Sequence, residues 1–134
     1  MRRILPILLI LTALVTVIYW VIYFTGGAVR VVNAPWYTAF ESSFPVADAW
    51  LAITAYAAGI GMWRGDGWGA RFGLLAGSAL LYLAALDITF NIENGLYARL
   101  PGSGPMWFEA VINVWSLGLG VATIAASWKR AANS

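Results

Sequence analysis

Four stretches of the chain are almost continuously apolar, at about 4–25, 44–63, 72–97 and 106–128, with short polar or glycine- and proline-rich connections between them. Each is long enough, at ~20 residues or more, to cross the ~30 Å hydrocarbon core of a bilayer as a helix. The pattern predicts an all-α integral membrane protein, a four-helix antiparallel bundle forming a single domain over 1–134. None of the four is uniformly apolar. Asp87, Asn91 and Asn94 fall at i, i+4, i+7 and share a helical face, and Glu109, Asn113 and Ser116 repeat that spacing. Thr12, Thr16, Tyr19 and Tyr23 make a hydroxyl-bearing stripe on the first segment. Glu41 and Asp48, seven apart, lie near one face at the start of the second.

The connections carry their own signals. Residues 26–43 form the longest, where Trp36 and Phe40 are expected to lie on a membrane surface or fold over the bundle mouth. Pro45 suits a first helical turn, with Ser42 or Ser43 as its cap. Residues 64–71 read as a tight turn, and so do residues 98–105. Gly73 and Gly77 have the spacing that lets a neighbouring backbone approach closely. A signal peptide is the rival reading of the first segment, but its apolar run is too long for one and is broken by Tyr19, Trp20 and Tyr23.

Composition agrees with a membrane chain: 61% of the 134 residues are hydrophobic and 10% are charged. The absence of Cys and His excludes disulfides, thiol chemistry, His-ligated haem and Cys/His zinc sites. No metal-ligand motif is present, and a cation held by side chains would have to be held by oxygen. The cofactor stays unassigned. Arg2, Arg3, Arg64, Arg71, Lys129 and Arg130 fall on one side of a four-span topology, with Arg30 and Arg99 on the other. That bias predicts a multi-pass protein of the cell membrane with both termini in the cytoplasm, and basic residues that are topology signals and not a nucleic-acid surface.

In this topology Glu41, Asp48, Asp87, Glu93 and Glu109 collect in the outer half, together with Asn91, Asn94, Asn113 and Tyr19. Ionised and unpaired, Asp48, Asp87 and Glu109 together could cost up to roughly 10 kcal/mol at membrane depth. That rivals the whole stability of a domain. Protonation, a bound cation, an arginine folding in from the loops (Arg30 or Arg99) or water in an outward-open cavity would each offset it. If Asp48, Asp87 and Glu109 are neighbours, at least one, Asp87 first, is expected to hold its proton.

The last two segments resemble the emopamil-binding-protein (EXPERA) superfamily, which includes sterol isomerases. The resemblance rests on Asp87 with Asn94, the turn Leu100-Pro101-Gly102-Ser103-Gly104-Pro105, Asn113 followed by Trp115, and Phe40-Glu41 before the second segment. It departs at the first helix, where family isomerases place His and Glu and this chain offers Thr12, Thr16 and Tyr19. What it implies is an acidic pocket for an amine or lipid-like molecule, without support for sterol isomerisation. The site residues expected on this reading are Tyr19, Glu41, Asp48, Asp87, Asn91, Glu109 and Asn113. Their expected partner, besides the bilayer, is a small amphipathic or cationic molecule. Two alternatives stay open: a subunit of a proton- or cation-coupled transporter, which implies a homo-oligomer, and an accessory subunit whose acids pair with a partner's basic residues. Whether the chain is an enzyme is left open.

Overall fold

The structure is a computed structural model and describes residues 3–26 and 31–133. Arg2, Arg30 and Ser134 lie outside the described residues. Among the described residues the chain is all-helical: α1 (Ile4–Thr25), α2 (Pro35–Glu41), α3 (Phe44–Arg64), α4 (Trp68–Glu93), a 3-10 helix (Leu96–Gly102) and α5 (Gly104–Ala132). Four helical stretches are long and apolar enough to cross a membrane, with α2 and α3 counting as one.

The boundaries follow local chemistry. Ser42 and Ser43 interrupt α2–α3, and Pro45 lacks the N–H that would continue the helix onto the Glu41 carbonyl. The break turns Glu41 toward the interior. Ser43 occupies the cap position expected of it, but its hydroxyl donates back to the Ala39 carbonyl at 3.0 Å and caps nothing. At the other end of α3, Gly65 adopts φ 77°. It lets Asp66 N–H reach the Gly61 carbonyl at 2.8 Å and Gly65 N–H reach Met62 at 3.2 Å, a Schellman ending. α5 is capped by Ser103, whose hydroxyl accepts from Met106 N–H at 3.2 Å.

The third span was expected to continue to residue 97. It stops at Glu93, because Asn94 leaves helical geometry and Gly95 takes φ 65°. Asn94 therefore does not join the Asp87 face: it is exposed, and its amide donates to the Phe90 carbonyl at 2.9 Å.

α1 packs on α3, α3 on α4 and α4 on α5. Small residues set the closeness of these crossings at the Arg64–Trp68 end. A methyl group added at Gly69 would run into the backbone of Gly61 and Met62, one at Gly73 into Ser127, and one at Gly77 into Ile124 and the Gly120 carbonyl. The Gly73–Gly77 spacing is thus used inside the chain, between α4 and α5. The core beside it is aliphatic, around Leu9, Ala55, Ala58, Ala76 and Leu80. A second, smaller core at the opposite end buries Tyr37, Leu96 and Met106. There α2 folds over the helix ends, with Phe40 stacked on Phe90 at 3.8 Å between centroids.

Candidate functional site

The polar stripes converge. α1, α3, α4 and α5, with the end of α2, enclose a cavity of about 370 Å³ lined by Thr12, Thr16, Tyr19, Trp20, Glu41, Asp48, Asp87, Glu109, Asn113 and Ser116 among apolar neighbours. Its walls are largely hydrocarbon and aromatic, from Leu11, Val15, Leu51, Leu80, Leu83, Phe108 and Ile112. Among the described residues no Lys or Arg lines it.

Glu41, Asp87 and Glu109 offer one carboxyl oxygen each within 4.8 Å of one another. They come from three different helices. Neutral donors fix two of the three. Asn91 Nδ2 donates to Glu109 Oε1 at 2.9 Å, and the Tyr37 hydroxyl donates to Glu109 Oε2 at 3.1 Å. Asn113 Nδ2 donates to Asp87 Oδ2 at 2.7 Å, while its own oxygen accepts from the Tyr97 hydroxyl. Glu41 is different. It is 4% exposed, and its Oε1 is buried without a hydrogen-bond partner. Asn91 Oδ1 is likewise buried and unpartnered.

Carboxylates this close repel one another, and neutral donors offset only part of that repulsion. The arrangement is favourable when a positive charge or a proton lies among them. One oxygen from each acid could ligate a hard cation of the Mg²⁺ or Ca²⁺ type, although such ions take six or more oxygens. The same oxygens suit an ammonium group, which presents its N–H donors to several acceptors.

Asp48, expected beside Asp87 and Glu109, lies along the same cavity but outside this group. The Trp20 indole donates to its Oδ2 at 2.7 Å. Glu41 takes the place expected of Asp48, because the break after α2 points it inward. Tyr19 lines the cavity and stacks on Phe108 at 6.0 Å. Thr16 also lines it, though its hydroxyl is spent on the Thr12 carbonyl at 2.8 Å. Glu93 is exposed. Arg99 is exposed and makes no ion pair among the described residues, so it does not close over the acids. Arg64 with Asp66, at 3.1 Å, is the ion pair found among the described residues, and it lies at the opposite end of the helices.

Two side chains were missed by sequence reasoning, Tyr37 and Tyr97. Tyr37 is fully buried and orients Glu109. Its signal was present: Pro35 can start a helix, and Tyr37 then sits one turn before Glu41 on the same face. Tyr97 belongs to the 3-10 helix that replaces the expected end of the third span. Burial, more than the nearby Asp87 and Glu109 charges, pushes its hydroxyl pKa up, against a hydrogen bond with Asn91 that lowers it. It stays protonated and donates to Asn113.

No family model, characterised protein or solved structure matches the chain.

Proposed function

We propose that the four long helical stretches cross the cell membrane as an antiparallel bundle with both termini cytoplasmic. In this reading the cavity binds a small amphipathic cation, an amine head among Glu41, Asp87 and Glu109 with its tail along the apolar walls. The observation that carries it is the Glu41 carboxyl, buried with one oxygen unpartnered, beside two further carboxyls in a cavity that no Lys or Arg among the described residues lines. Buried acids are costly in a membrane and are retained there chiefly for a ligand, an ion or a proton. Tyr19, Trp20 and Phe108 line the cavity and favour the same charge sign, since aromatic rings attract ammonium groups. A cavity of this volume falls within the range of small-molecule pockets. The EXPERA resemblance points to the same ligand class.

Radiolabelled dodecylamine, measured on the protein in nanodiscs, tests this. Saturable binding is expected, with dodecanol failing to compete because it lacks the charge. Glu41→Gln should weaken binding about tenfold, the equivalent of one charge-assisted hydrogen bond. Equal binding by the triple variant Glu41→Gln, Asp87→Asn, Glu109→Gln would defeat the reading. Displacement of the amine by millimolar Mg²⁺ or Ca²⁺ would instead favour a metal ion on the same oxygens.

A further inference from the structure

We infer that the ligand enters sideways from the bilayer, through a slit between α1 and α5, so the site takes long-chain amines dissolved in the membrane and not water-borne cations. This rests on the membrane-spanning, amine-binding reading above.

The ring of helices is closed by backbone packing at three junctions and not at the fourth. α1 packs along α3, α3 along α4 and α4 along α5, but α1 and α5 lack comparable packing among the described residues. Side chains join them instead. Trp115 Nε1 donates to Thr12 Oγ1 at 2.9 Å, and Tyr19 stacks on Phe108.

The cavity wall shows where it opens. Leu11, Val15, Val111 and Trp115 line the cavity, yet they are 48, 46, 59 and 42% exposed. On the opposite wall Leu51 and Leu80 are 6 and 1% exposed. A side chain that borders both the interior and the surroundings marks an opening, and these four all belong to α1 and α5.

Depth decides what the opening meets. Leu11 and Val15 follow the start of α1 by seven and eleven residues. That is about 10–16 Å along the axis at the helical rise, the middle of a bilayer-spanning helix. Acyl chains, not water, lie there. The alternative way in, past the outer helix ends, is covered: Tyr37 is buried against Glu109, and Phe40 is stacked on Phe90. Opening the slit parts side chains and not helix backbones: it breaks the Trp115 bond and separates Tyr19 from Phe108, while the Thr12 hydroxyl keeps its own bond to the Leu8 carbonyl at 2.7 Å. A flexible alkyl chain can therefore slide between Val15 and Val111 with its amine following toward the acids.

The chain has no cysteine, so a pair can be introduced cleanly. The variant Val15→Cys, Val111→Cys would be joined with a cleavable dithio-bis-maleimide in nanodiscs, and association of radiolabelled dodecylamine followed in time. The single variants capped with N-ethylmaleimide control for bulk. The expected result is association slowed by about tenfold or more in the bridged protein, and restored when the linker is reduced. Undiminished, acid-dependent association in the bridged protein overturns the route and leaves the pocket reading intact. Slowing that persists after cleavage overturns it as well. Absence of acid-dependent binding even in the unbridged protein overturns the pocket reading, and this inference with it.

Discussion

The two ends of this helical bundle are built on opposite principles. At the Arg64–Trp68 end, glycines let helices touch backbone to backbone, Gly61 against Gly69 and Gly77 against Gly120. At the other end the contacts are made by large side chains, Tyr19 on Phe108 and Phe40 on Phe90. Bulky residues hold helices apart, and there the cavity opens. The packed end carries the basic residues Arg64, Arg71, Lys129 and Arg130, and the open end carries Glu41, Asp87 and Glu109. The contrast teaches that the cavity needs the rigid end. A site held by hydrogen bonds among Asn91, Asn113, Tyr37 and Tyr97 keeps its geometry only if the helices below it cannot slide.

The sharpest way to break this contrast is to enlarge a glycine at the packed end. Gly69→Val places a side chain into the backbone of Gly61, which cannot yield as a flexible side chain would. A loss of about 3 kcal/mol is expected, at the upper end of overpacking effects, read as a lowered unfolding midpoint in detergent. A smaller effect is expected from Asn113→Leu at the open end. It removes the donor to Asp87 and the acceptor for Tyr97 together, for about 2 kcal/mol of stability and a large loss of amine binding.

Thr16→Leu sharpens the comparison from the other direction. The side chain lines the cavity, where space exists, so the change in stability should stay below about 1 kcal/mol while dodecylamine affinity falls. A destabilisation as large as that of Gly69→Val would mean that the two ends are equally tight. The last test reads topology and not stability, and asks only which end faces outward. Ser103→Cys should react with a membrane-impermeant thiol reagent in intact cells, and Ser134→Cys should not. The reverse pattern would invert the topology.

The sequence by itself determined the helices and much of the polar face. Runs of apolar residues this long cannot fold as anything but helices in a bilayer-like setting, and α1 begins and ends where the pattern does. The i, i+4 spacing of Asp87 with Asn91 and of Glu109 with Asn113 was enough to predict one face on each helix, because a helix has a fixed period. The structure brings all four onto one network. Tertiary structure alone decided the rest. Local backbone events were invisible to periodicity: Gly95 ends α4 and expels Asn94, and the break before Pro45 turns Glu41 inward ahead of Asp48. Partners across the bundle were equally out of reach. Nothing in the spacing of Gly73 and Gly77 says that their neighbour is α5, and nothing around Tyr37 says that its hydroxyl meets a glutamate 72 residues away. Period fixes which residues share a face of one helix. Which faces meet depends on the packing of all the helices together, and the carboxyl cluster exists only because three of them converge.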